Sequence, residues 1–170
     1  ENGLFSMATA NCHVDVHFEL ASAVLSLHRP DALNALNENL LSALQDAVEA
    51  VIASSDVKTI CIRGSQSVFM SGADVAFFLR AILKDDLDRI LRFTSSGHRV
   101  LDRLANCPKP TVAFVEGVAF GAGLELALSC QKVVAAPAAR FSAIFGSKRS
   151  KALPNSSMRT EANSWGITTA

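Results

Sequence analysis

Residues 111–130, TVAFVEGVAFGAGLELALSC, constrain the fold more than any other part of the 170-residue chain. The first five residues are apolar and typical of a β-strand, the middle is a turn of glycine and small residues, and LELALS is an apolar helical run. A strand that turns sharply into a helix directs the unpaired N–H groups of the first helical turn, and the positive end of the helix dipole, towards one point. The segment therefore predicts a site for an anion or an oxyanion.

Glu125 lies in this helical run between apolar neighbours. We expect it to be buried, where the charged form of a carboxylate is disfavoured, and an oxyanion site beside such a group suggests acyl chemistry. The segment does not match two other glycine-rich motifs, the dinucleotide-binding fingerprint and the phosphate-binding P-loop. A dinucleotide fingerprint would need glycine where Leu126 stands, and a P-loop would need a lysine well before Lys132. The remaining alternative is that Gly121 and Gly123 only allow a helix to pack closely on a strand.

The composition limits the class of protein. Lys plus Arg and Asp plus Glu both total 16, so the zero net charge argues against nucleic acid as a partner. Four widely spaced cysteines without a C-x-x-C pair are typical of reduced, mostly buried thiols in a cytoplasmic protein, and not of a disulfide framework or a metal site. No apolar run reaches the roughly 18 residues that span a membrane, and we expect no secretory signal, since no basic segment followed by an apolar run appears near residue 1.

Both ends differ from the middle. Residues 1–6, ENGLFS, precede Met7 and are expected to be a remnant of cloning or processing. Residues 7–145 form the predicted domain. From residue 146 the sequence loses all periodicity and is rich in Ser, Thr, Asn, Lys and Arg, so residues 146–170 are expected to be a disordered or foreign tail.

The hydrophobic pattern predicts strands over 14–20, 23–27, 58–63, 111–116 and 132–136, and helices over 38–53, 74–80, 86–105 and 124–129. Asn37 and Asp74 are placed to cap the first two helices, and Gly97 is a weak point in the third. His98 shares that helix with Arg99 and is expected on a solvated face. Strands that alternate with helices indicate an α/β fold.

Three segments carry a more specific pattern: HRPDALNALN at 28–37, VFMSGADVAFF at 68–78 and VEGVAFGAGLELALSC at 115–130. In this order they resemble the motifs of the enoyl-CoA hydratase/isomerase, or crotonase, family, and the similarity spans about residues 14–141. The resemblance implies a crotonase-like spiral of ββα units that is incomplete at the C-terminus. It also implies chemistry on acyl-CoA thioesters without a prosthetic group or metal, and assembly into a homotrimer or hexamer through a C-terminal region that this sequence lacks.

The resemblance assigns roles to particular residues. The backbone N–H groups of Ala73 and Ala122 would form an oxyanion hole, and Glu125 would be an acid/base residue. The segments that would line coenzyme A or shape the oxyanion hole contain the other implied binding residues: His28, Arg29, Ala32, Leu33, Ser71, Gly72, Ala73, Asp74, Val75, Gly121 and Gly123. On residue chemistry alone Asp74 is more naturally a helix cap, and Arg29 can equally be only solvated.

The sequence also departs from the family pattern. Hydratases of the family carry a second acid/base glutamate about twenty residues after the first, where this chain has Phe145, and their usual Asp after Cys130 is Gln131 here. Hydration is therefore expected to be weak, because one of two acid/base groups is missing. The sequence leaves open a hydratase, a double-bond isomerase, a hydrolase-like member, a non-catalytic acyl-CoA-binding relative or an inactive truncated form.

Overall fold

The computed structural model describes residues 6–7, 13–65, 68–142 and 167–169. Two parallel-rich sheets and four α-helices make up this part of the chain. The strands are β1 (Ser6–Met7), β2 (Val14–Glu19), β3 (Ser22–Leu27), β4 (Thr59–Arg63), β5 (Val68–Met70), β6 (Thr111–Val115), β7 (Val118–Phe120), β8 (Lys132–Ala135), β9 (Arg140–Ser142) and β10 (Ile167–Thr169). The helices are α1 (Glu38–Ala53), α2 (Val75–Leu83), α3 (Leu87–Ala105) and α4 (Ala122–Ser129).

The larger sheet has the strand order β1-β2-β3-β4-β6-β8-β10. Strands β2 and β3 form an antiparallel hairpin, and β3, β4, β6, β8 and β10 run parallel to one another. Alternate residues of the central strands are fully buried, among them Leu25, Ile60 and Ala113. This alternation is the period of two that predicted the strands, and it places one face of the sheet on the core.

A second sheet of three short parallel strands, β5-β7-β9, was not predicted. Each of its strands has three residues, which is too short for a period of two to stand out from a loop. Each follows a strand of the larger sheet, so the chain repeats a long strand, a short strand and then helix: β4, β5, α2 and α3, followed by β6, β7 and α4. This repetition confirms the predicted spiral of ββα units.

The predicted helix caps are confirmed. The side chain of Asn37 accepts a hydrogen bond from Leu40 N at 2.9 Å, and Asp74 caps α2. Asp86 caps α3 by accepting from Arg89 N at 3.1 Å. A side-chain acceptor at each first turn satisfies N–H groups that lack intrahelical partners, so these polar residues define where the helices begin.

The two ends of the chain need one correction. Ile167–Thr169, in the segment expected to lack structure, form strand β10 parallel to β8, and Ser6 of β1 pairs with His17 of β2. Ile and Thr favour extended backbone, and the outer edge of β8 offers unpaired N–H and C=O groups. The rest of the predicted tail, and Phe145, lie outside the described residues. None of the described helices is long and apolar enough to cross a membrane.

Candidate functional site

The two segments that the resemblance assigned to cofactor binding lie side by side. Ser71 N donates to Leu33 O at 3.1 Å, and Leu36 N donates to Gly72 O at 2.7 Å. Asp74 N completes the pairing by donating to Leu36 O at 2.9 Å. These three backbone bonds fix the loop after β5 against the loop after β3, so residues far apart in the sequence share one rim.

Arg29 and Asp74 join the same two loops through their side chains. Arg29 Nη2 lies 2.8 Å from Asp74 Oδ2, and Arg29 Nη1 donates to Ala35 O at 2.7 Å. Asp74 also accepts from Ala76 N and Phe77 N at 3.0 and 3.2 Å. Burial raises the pKa of Asp74, but the hydrogen bond from Arg29 and those backbone donors outweigh it, so the pKa is lowered overall. Both side chains are therefore committed to holding the rim together.

Asn34 is a site-shaping residue to which the sequence reasoning gave no role, although it lies in the first matched segment. Its side chain is almost fully buried, and its amide nitrogen donates to Val68 O at 3.0 Å and Phe69 O at 3.2 Å. Its carbonyl oxygen accepts from Arg29 N at 2.8 Å. Asn34 also has a positive φ of 54°, a conformation that asparagine tolerates better than most residues. It anchors β5, the strand that leads into the Ala73 loop.

The chain turns at Gly121 into α4, as predicted, but the strand that leads into this turn is β7, which the sequence did not predict, and not β6. Gly121 has φ 49° and ψ −117°, which side chains disfavour, and it precedes the first helical residue, Ala122. A Cβ at Gly123 would lie only 2.4 Å from Met70 O and 2.8 Å from Met70 Cβ. Gly123 therefore allows the first turn of α4 to lie against β5, which is the close-packing role that the sequence left open for it.

Within the described residues, the backbone N–H groups of Ala73 and Ala122 are unpaired at this junction. Leu36 and Ala73 form a parallel β-bridge, in which Leu36 N donates to Gly72 O and Leu36 O accepts from Asp74 N. Because both bonds are made by the neighbours of Ala73, the N–H of Ala73 itself points away from Leu36. Ala122 is the first residue of α4 and has no intrahelical acceptor. Within the described residues neither N–H donates a hydrogen bond.

Ala73, Ala122 and Glu125 line one cavity of about 170 Å³. Thr94, Gly97 and His98 of α3 line it as well. The rest of its wall is apolar and consists of Leu36, Leu41, Leu44, Met70, Phe78, Phe93, Val100, Leu101 and Leu126. Phe78 and Phe93 pack edge to face, with their ring centroids 5.7 Å apart, so one wall is aromatic. A cavity with an apolar wall and two unpaired donors suits a ligand with an apolar chain and a carbonyl group.

The expectation that Glu125 is buried is wrong. Its side chain is exposed, whereas its neighbours Leu124 and Leu126 are buried. Successive helical residues point about 100° apart, so Leu124 and Leu126 can be buried while Glu125 between them is exposed where it lines the cavity. Its carboxylate makes no ion pair within the described residues.

The remaining predicted residues lie outside the cavity wall. His28 and Val75 are exposed, Leu33 is 58% exposed, and Ala32 and Ser71 are half-buried. His98 is exposed as expected, yet it also lines the cavity. The lining by Thr94, Gly97 and His98 was missed, although their spacing on one face of α3 could have indicated it. No cluster of three or more His, Cys, Asp or Glu side chains suited to a metal ion occurs in residues 13–65 and 68–142.

The sequence is similar to those of several curated proteins that are named as hydratases of CoA thioesters. The chain is 40% identical to the mitochondrial methylglutaconyl-CoA hydratase of Mus musculus over 118 aligned residues. The aligned region covers 69% of this chain and 36% of the mouse protein. It is 38% identical over 120 residues to the crotonyl-CoA hydratase of Syntrophomonas wolfei, covering 70% of this chain and 45% of that protein. The chain thus spans less than half of the length of these curated relatives.

Solved structures show the same fold. A Pseudomonas aeruginosa structure superposes with a TM-score of 0.75 at 34% identity, covering 89% of this chain and 63% of that one. An enoyl-CoA hydratase/isomerase from Xanthobacter autotrophicus superposes with a TM-score of 0.71 at 30% identity, covering 78% and 49%. The family model described as enoyl-CoA hydratase/isomerase matches residues 22–143, which is most of the chain. The chain therefore belongs to the enoyl-CoA hydratase/isomerase family.

Proposed function

We propose that this chain binds acyl-CoA thioesters and stabilises an enolate-like oxygen formed from the thioester carbonyl. The observation that carries the proposal is the meeting of Ala73, Ala122 and Glu125 on one apolar cavity. Membership of a family whose relatives include hydratases of CoA thioesters supports this chemistry.

The oxyanion hole would consist of the N–H groups of Ala73 and Ala122. Both are free of other hydrogen bonds within the described chain, and Ala122 lies at the positive end of the α4 dipole. Donors held by the backbone need no reorganisation as charge develops on the carbonyl oxygen, and loss of one such donor typically costs about 10²–10³-fold in rate. The backbone pairing of the Ala73 loop and the contact of Gly123 with Met70 would keep the donors in place.

Glu125 would move a proton to or from the acyl chain. It is one turn into α4 from Ala122, on the cavity side of the helix. Hydration needs a base for water and an acid for the α-carbon, whereas shifting a double bond needs one carboxylate that removes a proton and returns it. Glu125 is the only carboxylate that lines the cavity among the described residues, and the family resemblance would put Phe145 at the position of the second glutamate. We therefore favour isomerisation over hydration for this chain.

The coenzyme A moiety would lie along the two paired loops, in whose segments His28, Leu33 and Val75 are exposed. Arg29 acts here as a positioning residue, because its guanidinium is taken up by Asp74 and Ala35 O. The exposure of Glu125 supports the alternative that the chain binds acyl-CoA without turning it over, since general acid/base groups work best in a site that excludes water.

Measurements of turnover would distinguish isomerisation, hydration and acyl-CoA binding without catalysis. Crotonyl-CoA hydration and the isomerisation of a 3-enoyl-CoA would be measured for the wild-type chain, for Glu125→Gln and for the control Glu116→Gln. Glu116 is an exposed carboxylate paired with Arg63 and does not line the cavity. We expect isomerisation to exceed hydration, and Glu125→Gln to lower it by about 10²–10⁴-fold while Glu116→Gln leaves it unchanged. Tight thioester binding with no turnover would support the non-catalytic alternative, and no binding by folded protein would refute the proposal.

A further inference from the structure

Gly97 lies in the middle of α3 although nothing in the structure requires glycine there. Its φ is not positive, unlike that of Gly72 and Gly121, so its backbone conformation suits any residue. A Cβ built at Gly97 would meet no heavy atom within 4 Å, whereas a Cβ at Gly123 would collide with Met70. Glycine weakens a helix interior, so neither local propensity nor packing explains this residue.

What Gly97 contributes is open space in the cavity wall. Thr94, Gly97 and Leu101 follow one another on the cavity side of α3 at spacings of three and four residues, which form one stripe on a helix. Thr94 and Leu101 present side chains on this stripe, and Gly97 leaves a gap between them. Long side chains on a helix lean towards its N-terminus, so a larger residue at 97 would extend over the space beside Phe93 and Thr94.

We propose that Gly97 is a specificity-determining residue that sets the length of acyl chain the cavity accepts. The inference rests on the proposed binding of the thioester carbonyl by Ala73 and Ala122. The carbonyl would be held at one side of the cavity, and the acyl chain would run past Glu125 into the gap at Gly97, against the aromatic wall of Phe78 and Phe93. The site is therefore built for thioesters with an apolar tail longer than an acetyl group.

The test measures binding of saturated thioesters, which undergo no turnover, so the readout is independent of Glu125. Dissociation constants for acetyl-CoA and hexanoyl-CoA would be measured by calorimetry for the full wild-type chain, Gly97→Leu, Gly97→Ala and Ser95→Leu. Ser95→Leu is the matched control, because Ser95 is exposed on the same helix and does not line the cavity. Leucine favours helix more than glycine, and circular dichroism would verify the fold of each variant.

Each buried methylene is worth about fourfold in affinity, so filling the space of two or three methylenes should weaken hexanoyl-CoA binding by at least about tenfold. We expect Gly97→Leu to weaken hexanoyl-CoA binding by this factor and to change acetyl-CoA binding by less than about twofold. Gly97→Ala should weaken hexanoyl-CoA binding by a smaller factor, and Ser95→Leu should leave it unchanged. Unchanged hexanoyl-CoA binding by folded Gly97→Leu would overturn this inference and leave the proposed function standing. Failure of the wild-type chain to bind either thioester would overturn both.

Discussion

Replacing Gly123 by alanine tests how the proposed oxyanion site is built. The added Cβ would lie 2.4 Å from Met70 O, 2.8 Å from Met70 Cβ and 3.1 Å from Met70 C. Favourable contacts between heavy atoms lie near 3.5–4.0 Å, so the methyl group would stand about 1 Å inside contact distance. The nearest atom belongs to the backbone of β5 and cannot rotate away, so the first turn of α4 would have to move off the sheet.

The size of the effect follows from this clash. Inserting a methyl group into a tightly packed position typically costs about 1–3 kcal/mol, and a backbone obstacle places Gly123→Ala at the upper end, at about 3 kcal/mol. For a chain of this length, that loss should lower the melting temperature by roughly 6–12 °C. The same movement would shift Ala122 N by about 1 Å relative to Ala73 N, and a misplacement of that size can lower a rate by about 100-fold.

Urea unfolding followed by circular dichroism would measure the free energy of unfolding of the wild-type chain and of the Gly123→Ala variant. Gly97→Ala is the matched control, because the same methyl group meets nothing within 4 Å in a helix interior. It should raise the free energy of unfolding by about 0.5–1 kcal/mol. The two substitutions are thus expected to have opposite signs. A Gly123→Ala protein as stable as wild type would show that α4 does not approach β5 as closely as described, and the reasoning would fail.

Three further substitutions follow from the same contacts. The lowered pKa of Asp74 means that its ionised form stabilises the fold fully above the unfolded pKa of about 4, and that this contribution is lost as the pH falls through the folded pKa. Asp74→Asn should therefore lower the urea midpoint at pH 7 by an amount that shrinks as the pH falls below 4, and a constant difference would contradict the ion pair with Arg29. Asn34→Ala should cost about 2–3 kcal/mol in urea unfolding, because buried carbonyls of β5 lose their donor, and a loss below about 0.5 kcal/mol would count against that anchor. Glu125→Gln should change the free energy of unfolding by less than about 0.5 kcal/mol, because the side chain is exposed, and a large loss of stability would mean that Glu125 is structural.

The features predicted correctly from the sequence are those that leave a local signal. Asn37 and Asp74 each precede an amphipathic run, and each caps the helix that follows. The turn at Gly121 and the helix after it were likewise recognisable from the order of apolar and small residues. Strands β5, β7 and β9 left no such signal, because three residues are too few to show a period. They form only because each pairs with another short strand brought alongside by the larger sheet.

The parts of the site that could not be predicted depend on contacts between distant segments. Nothing in the sequence indicated that Arg29 would form an ion pair with Asp74. The space beside Gly97 likewise exists only because α3 packs opposite α4. Glu125 was misjudged for a different reason. Its apolar neighbours indicated burial, but successive helical residues point about 100° apart, so Leu124 and Leu126 are buried while Glu125 between them is exposed.

The central claim is that the N–H groups of Ala73 and Ala122 receive a thioester carbonyl, and the amide proton shifts of these two residues test it most directly. Heteronuclear NMR spectra of the ¹⁵N-labelled chain would be compared with acetoacetyl-CoA, with free coenzyme A and without ligand. A new hydrogen bond moves an amide proton downfield. Both amides should shift with acetoacetyl-CoA and neither should shift with free coenzyme A, which has no thioester carbonyl. If acetoacetyl-CoA binds and the amide protons of Ala73 and Ala122 do not move, the account of this site is contradicted.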